Sequence, residues 1–228
     1  MGNAGVGFAD SFLNLRIMAQ SLPAIWQGLL VTLQLGVVIV ATGLLAGLGL
    51  AMLRALGVRP LNWLIVFVVD VFRAVPPLVI IVLLYIGGPA AGLSLSGFVC
   101  TWLSLSLVLM AFAEEIYWAG ITAVPRGQWE AARSTGLGFG QALVHVVLPQ
   151  ALRIAVPPLT NRTIAIIKGT ALGSVVAVGE ILSESSAALS VTGNASPLTL
   201  GALAYLLLFI PIVAAAHAIE RRWRQHPA

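Results

Sequence analysis

The sequence predicts an all-α integral membrane protein with five transmembrane helices. The chain has 228 residues, of which 59% are hydrophobic and only 9% are charged, whereas soluble domains are about 25% charged. Its mean hydropathy is +1.01. No charged residue stands between Arg16 and Arg54, and this gap exceeds the roughly 20 apolar residues that cross a bilayer. Much of the chain is therefore expected to be surrounded by lipid.

The first span is expected at residues 26–53, inside this charge-free gap. The apolar run is longer than the hydrophobic core of a signal peptide, so it is expected to remain as a membrane helix. Gly43 and Gly47 have the small-xxx-small spacing that allows close helix packing, although glycine is also simply common in membrane helices. Residues 1–21 are expected to form an extracytoplasmic N-terminal segment.

The second span is expected at residues 61–86 and should be broken. It contains the pair Pro76-Pro77, and proline removes an N–H donor and clashes with the carbonyl four residues before it. Arg73 stands just ahead of the pair. We expect its charge to fix the broken helix, close to the carbonyls that the break frees.

The other spans are expected in charge-poor stretches, at residues 98–117, 157–178 and 197–219. The fourth of the five spans is the weakest, because it contains Arg162 and Lys168. The spans and their loops make one membrane domain at residues 22–222, followed by a cytoplasmic tail at residues 223–228.

The positions of the arginines predict the orientation. With the N-terminus outside, the outer segments hold Arg16 and the inner segments hold most of the other arginines. The inner arginines are Arg54, Arg59, Arg126, Arg133, Arg153, Arg221, Arg222 and Arg224. The positive-inside rule favours this arrangement, which also places the C-terminus and residues 124–149 in the cytoplasm.

The segment at residues 124–149, VPRGQWEAARSTGLGFGQALVHVVLP, is polar and punctuated by glycine. It predicts two short helices joined by a turn, the first at residues 128–135. Gly136 is expected in a left-handed conformation after this helix, where glycine has no Cβ penalty. The second helix, QALVHVVL, is expected to stop at Pro149.

The first of these helices has a small, shallow surface. Ala131 and Ala132 lie between Glu130 and Arg133, whose charges suit the two ends of a helix dipole. Such a surface fits docking against another protein, and it also fits an amphipathic helix resting on lipid. The residues alone leave both interpretations open.

The run EAARSTGLGFGQALVHVVLP resembles the EAA loop of ABC-importer permeases. The matching positions are Glu130, Ala131, Ala132, Gly136, Leu148 and Pro149. The stretches VFRAVPPLVI, AFAEEIYWAGITAVPRGQWEAA, LPQALRIAVPPLTN and KGTAL are similar to the permeases of polar amino-acid uptake, such as those for histidine, glutamine and glutamate. The resemblance covers nearly the whole chain.

The resemblance implies a type I ABC-importer (MetI-like) permease in the bacterial inner membrane, with a cytoplasmic coupling helix. The coupling residues that it implies are Glu130, Ala131, Ala132, Arg133, Ser134 and Gly136. The implied partners are two copies of an ATPase subunit, which bind ATP and Mg, and an extracytoplasmic amino-acid-binding protein. A second permease subunit, identical or related, is expected because five helices are too few to enclose a solute pathway. No cofactor in this chain and no nucleic acid are expected.

Charged residues at membrane depth have two interpretations, because their burial in lipid is costly. They pair with one another, as Glu115 would with an arginine on a neighbouring helix, or they line a solute pathway. The residues predicted to line the pathway and meet an amino acid are Glu115, Asn161, Lys168 and Thr170.

Other functions find less support in the sequence. The only lysine is Lys168, and no phosphate-binding G-x-x-x-x-G-K-[ST] precedes it. Glu114 and Glu115 are adjacent and so point about 100° apart on a helix, which makes a poor acid–base pair for a membrane enzyme. An ion-coupled secondary transporter stays as the alternative. That class has internal repeats with paired broken helices, whereas the sequence around the two proline pairs does not repeat.

Overall fold

The computed structural model describes the backbone of residues 7–224 and the side chains of residues 7–221. Within this range all regular structure is helical. The α-helices are α1 Phe8–Phe12, α2 Leu15–Ala55, α3 Arg59–Ala74, α4 Pro77–Val82, α5 Gly97–Ala123, α6 Arg126–Ser134, α7 Phe139–Ala142, α8 Leu148–Lys168, α9 Ile181–Thr192 and α10 Ser196–Arg224. Residues 1–6, and residues 225–228 of the expected tail, lie outside the described residues.

Short stretches of other helix types join some of these elements. Two are π-helical turns, Leu83–Gly87 and Leu143–Val147, and two are 3-10 helices, Pro89–Ala91 and Gly169–Val176. The π-helical turns continue α4 and connect α7 to α8, so that helical runs extend beyond the α-helices themselves.

Four helical runs in the described part of the chain are long and apolar enough to cross a bilayer. They are Phe8–Ala55, Gly97–Ala123, Phe139–Val176 and Ser196–Arg221. A fifth crossing results if α3 and the run Pro77–Gly87, which are bent by 97°, form one broken span. The all-α membrane fold predicted from the sequence is therefore confirmed.

The break in the second span lies at the proline pair, as predicted. Val75 is extended, with φ −82° and ψ 128°, because the residue before a proline is excluded from the α-helical region. Pro77 then starts α4, where a missing N–H costs nothing since the first helical N–H groups have no partner. The pair therefore turns the chain without leaving a donor unsatisfied.

Pro149 does not end a helix, so that prediction is wrong. The helical run passes from α7 through the π-helical turn Leu143–Val147 and Pro149 to Lys168. In an α-helix, the ring of Pro149 would clash with the backbone carbonyl four residues before it. The π-helical turn that directly precedes the proline is wider than an α-helical turn, so it makes room for the ring. The helical run that contains the predicted fourth span, residues 157–178, therefore already begins at Phe139.

The described chain forms two compact units, each with its own packing. The first takes in the residues up to Val38, Leu78–Leu103 and Ile167–Val213. Its core joins Ile25 and Leu29 of α2 to Ile181 of α9. Side chains of α10 pack against this core: Leu200, Ala204, Tyr205 and Leu208.

The second unit takes in Ile39–Pro77, Ser104–Ile166 and the residues from Ala214 onwards. A Cβ on Gly43 would lie 2.8 Å from the Leu109 side chain, and one on Gly47 would lie 2.7 Å from the Cβ of Ala113. The two glycines therefore let α2 approach α5 closely, which confirms the packing interpretation of their spacing. The buried core here includes Ala51, Ala113, Tyr117, Leu143, Val147 and Ala151.

Candidate functional site

The polar segment forms α6, a tight turn and α7. The backbone N–H of Gly136 donates to the carbonyl of Arg133 at 3.0 Å, and Gly136 has φ +89°. Its left-handed conformation is confirmed, and it reverses the chain directly after α6. The side chain of Gln141 then accepts a hydrogen bond from the N–H of Gly138 at 2.9 Å, which caps the start of α7.

One side of α6 is packed onto the second unit. Ala132 is buried, and the ring of Trp129 stacks on Phe139, with centroids 5.3 Å apart. Both aromatic rings pack against the core of the unit. The amide of Gln150 also donates to the Gln128 side chain at 3.3 Å, which ties α6 to α8. The short helix is therefore held in one orientation.

The other side of α6 is exposed and carries most of the predicted coupling residues. Those that are exposed are Glu130, Ala131, Arg133, Ser134 and Gly136. Ala132 is the one of the six that faces inward, so its small side chain seats the helix on its own subunit. The exposed part of α6 carries one acid, Glu130, and two arginines, Arg133 and Arg126.

A cavity of about 460 Å³ lies among α3, α5 and α8. Its lining residues are Arg73, Phe112, Glu115, Ile116, Pro158, Asn161, Arg162 and Ala165. Two of the four predicted pathway residues, Glu115 and Asn161, therefore meet at one place. They come from helices far apart in sequence, so only the fold brings them together.

Charged groups of both signs line this cavity. Arg73 Nη2 lies 2.7 Å from Glu115 Oε2, and Arg73 Nη1 lies 3.7 Å from Asp70 Oδ1. The sequence placed Arg73 near freed carbonyls, but its guanidinium pairs with carboxylates instead. Glu115 still has 48% of its side chain exposed, so part of the carboxylate is open to a solute.

Arg162 is held by an aromatic ring. Its guanidinium carbon lies 3.6 Å from the centroid of Phe112, and that of Arg73 lies 5.4 Å from it. Such a ring attracts a cation without neutralising its charge. Arg162 has no ion-pair partner among the residues described, so the lining has an excess of one positive charge.

Sequence reasoning missed the role of Phe112. Arg162 was recognised as a charge at membrane depth, but Phe112 stands 50 positions earlier on another helix. No spacing within one helix connects such a pair, so neither periodicity nor a local motif indicates it. The one available signal was an arginine with no nearby acid in the fourth span.

The other two predicted pathway residues do not line this cavity. Lys168 is exposed, and its Nζ lies 5.8 Å from the centroid of the Phe209 ring. Thr170 is fully buried, and its hydroxyl donates to the carbonyl of Ile167 at 2.7 Å. Its donor is therefore used within the helix, and a solute does not reach it in this structure.

The cavity offers groups that bind rather than groups that react. Its guanidinium and amide side chains donate hydrogen bonds, and its carboxylate accepts them. In the described part of the chain, no cluster of three or more His, Cys, Asp or Glu side chains is placed to hold a metal ion. Its polar groups suit a small solute that has charges of both signs.

The chain is similar in sequence to permease proteins of amino-acid transporters. The chain is 34% identical over 211 residues to a probable glutamine ABC transporter permease protein of Bacillus subtilis (strain 168), which covers 92% of this chain and 98% of the relative. It is 31% identical over 207 residues to the arginine transport system permease protein ArtQ of the same organism, with 90% and 94% covered.

Solved structures share the fold. The crystal structure of an amino acid ABC transporter with histidines matches with a TM-score of 0.81 and 30% identity, covering 90% of this chain and 96% of that one. The MetNI methionine ABC transporter matches with a TM-score of 0.65 at 22% identity, with 89% and 95% covered. Residues 43–225 match the family of binding-protein-dependent transport system inner membrane components. The chain is therefore a multi-pass membrane protein that belongs to this family, within its branch of amino-acid ABC permeases.

Proposed function

We propose that this chain is the permease subunit of an ATP-driven amino-acid importer and that α6 is its coupling helix. The observation that carries the proposal is the two-sided character of α6. Ala132 and Trp129 fix the helix to its own subunit, while Glu130 and Arg133 are exposed on its other side. A rigid helix of this kind transmits a push from a partner to the membrane helices.

The energy comes from a partner in this proposal. Two ATPase subunits bind ATP and Mg and press on α6 as they close. A second permease subunit, identical or related, completes a pathway of alternating access. An extracytoplasmic binding protein delivers the solute to the outer mouth, with the N-terminus outside and the C-terminus in the cytoplasm. The permease itself carries out no chemistry.

The cavity among α3, α5 and α8 is the part of the pathway that suits an amino acid. The guanidinium of Arg162 is available for an α-carboxylate, and the exposed part of the Glu115 carboxylate is available for an α-ammonium. Asn161 adds hydrogen bonds from the same helix face as Pro158. The relatives named for glutamine and arginine are consistent with such a solute. Lys168 and Thr170 stay as predicted pathway residues elsewhere.

Charge reversal on the coupling helix tests the proposal. Glu130→Lys, in proteoliposomes with the ATPase and the binding protein, should leave the chain inserted, retain ATP hydrolysis and abolish solute uptake. The matched control is Asp10→Lys, which reverses an exposed acid far from α6 in sequence and should transport normally. Coupled transport by Glu130→Lys would falsify the assignment of α6. Uptake that needs an ion gradient but no ATPase would favour the ion-coupled alternative.

A further inference from the structure

A second cavity, of about 350 Å³, lies where α2 ends and α3 begins, beside the last turns of α5. Its lining residues are Arg54, Arg59, Asn62, Trp63, Val66 and Trp118. It shares no lining residue with the cavity around Glu115. The function proposed above does not use it.

This cavity lies at the boundary of the membrane. Arg54 is in the last turn of α2, Arg59 is the first residue of α3, and only three residues separate these two helices. Trp63 comes one turn into α3, and Trp118 is near the end of α5. Tryptophan concentrates at the level of the lipid headgroups, so the cavity opens at headgroup depth.

The cavity has an uncompensated positive charge. Arg54 Nη1 donates to Glu114 at 3.0 and 3.3 Å, and Glu114 is fully buried, so this pair is neutral overall. Arg59 is exposed at the mouth of the cavity and has no ion-pair partner among the described residues. An anion is therefore the expected occupant.

An apolar stripe continues from the cavity along α3. Trp63, Phe67 and Val71 are 78%, 66% and 39% exposed, and their spacing of four residues puts them on one side of the helix. The stripe starts at the cavity and runs away from Arg59, in the direction of the membrane interior. A hydrocarbon chain attached to the anion fits this stripe.

We propose that this cavity binds the headgroup of an anionic phospholipid. The phosphate lies at Arg59 and at the outer edge of the Arg54 guanidinium. An acyl chain lies along Trp63, Phe67 and Val71. The lipid headgroup fills the cavity between the end of α2, the start of α3 and the last turns of α5.

Lipid binding to the full-length chain in detergent tests this proposal, with bound lipids counted by native mass spectrometry. The probes are phosphatidylglycerol, phosphatidylcholine and phosphatidylmethanol with identical acyl chains, and soluble glycerol 3-phosphate. Phosphatidylglycerol and phosphatidylmethanol, the two anionic lipids, should bind best. Arg59→Gln should weaken phosphatidylglycerol binding about five-fold, as expected for one arginine near a lipid surface. The control Arg153→Gln, which removes an exposed arginine outside the cavity, should change it by less than about two-fold.

The other probes separate the alternatives. Phosphatidylmethanol, which has the same charge as phosphatidylglycerol but no headgroup hydroxyl, should bind as well as phosphatidylglycerol, because Arg59 recognises the charge. An equal loss in Arg59→Gln and Arg153→Gln would mean diffuse attraction and would overturn the proposal. Tight binding of glycerol 3-phosphate would assign the site to a soluble phosphate and would overturn it too, as would equal binding of phosphatidylcholine and phosphatidylglycerol.

Discussion

Arg73 Nη2 and Glu115 Oε2 lie 2.7 Å apart, and this contact joins the last turn of α3, just ahead of the helix break, to α5. The pair lines the cavity in which Arg162 and Asn161 also lie. Because Glu115 is half exposed, the ammonium group of a solute would compete with Arg73 for the same carboxylate. In the proposed function, this ion pair would connect occupancy of the cavity to the helix break.

Glu115→Gln should raise the KM of uptake by about ten-fold, because a hydrogen bond to a charged group contributes about 1.5–3 kcal/mol. Basal ATP hydrolysis by the assembled transporter should stay near normal. Asp70→Asn is the control, since Asp70 makes the longer contact of 3.7 Å with the same arginine and does not line the cavity. Equal changes in KM for both variants would show that the charge of Arg73, rather than solute binding, is responsible.

The buried pair Arg54–Glu114 should be more sensitive to the loss of one partner than to the loss of both. Glu114 is fully buried, and Arg54 is 21% exposed. Arg54→Met leaves a buried carboxylate unpaired and should cost about 3–5 kcal/mol of stability. The double variant Arg54→Met with Glu114→Leu should recover part of this loss, as measured by unfolding in mixed micelles. A double variant less stable than Arg54→Met would contradict this account.

Local sequence features predicted those parts of the fold that depend on local chemistry. The gap between Arg16 and Arg54 lies within the first long apolar helical run, Pro76-Pro77 marks the break, and Gly136 marks the turn. Each feature acts through the backbone or through burial of its own helix. A single sequence is sufficient for such effects.

Contacts between distant segments were not predictable in the same way. Phe112 and Arg162 meet only because α5 packs beside α8, and nothing in either helix indicates its partner. The prediction that Pro149 ends a helix failed because a π-helical turn precedes the proline and lets the helix continue. The sequence grouped Thr170 with Glu115 by polarity, but the burial of Thr170 follows from tertiary packing.

Close packing of α2 on α5 predicts opposite outcomes at two glycines of one helix. A Cβ on Gly47 would lie 2.7 Å from Ala113 Cβ and 2.8 Å from the Met110 carbonyl oxygen, whereas one on Gly49 would meet nothing within 4 Å. Gly47→Ala should therefore lower stability by about 1–3 kcal/mol through overpacking. Gly49→Ala should leave the melting temperature in detergent unchanged or raise it. Similar melting temperatures for the two variants would contradict this packing.

Glu180 should make stability depend on pH. Its carboxylate accepts from the N–H groups of Leu182 and Ser183 and from the hydroxyl of Tyr205 at 2.6 Å. Burial raises the pKa of Glu180, and these hydrogen bonds only partly offset the rise. The folded protein then holds this proton more tightly than the unfolded chain, so stability falls as pH rises above the ordinary glutamate pKa of about 4.3.

The variant Glu180→Gln isolates this effect, because an amide does not titrate. The difference in melting temperature between the wild type and this variant should move against the wild type as pH increases from 4 to 8. Glu184→Gln is the control, since Glu184 is only partly buried. A difference that stays constant over this pH range would exclude a raised pKa at Glu180.

The turn after α6 should be required for coupling rather than for insertion. Gly136 has φ +89°, and an alanine there would cost about 1–2 kcal/mol through clashes of its own Cβ with the backbone. Gly136→Ala should therefore shift the end of α6 and lower uptake, while ATP hydrolysis by the partner subunits persists. Gly140→Ala is the matched control, because Gly140 does not have a positive φ and a Cβ there would meet no atom within 4 Å. The measurement is the amount of solute taken up per ATP hydrolysed in proteoliposomes, which should be lower for Gly136→Ala than for Gly140→Ala. Equal ratios for the two variants would contradict the prediction that the turn orients α6 for coupling.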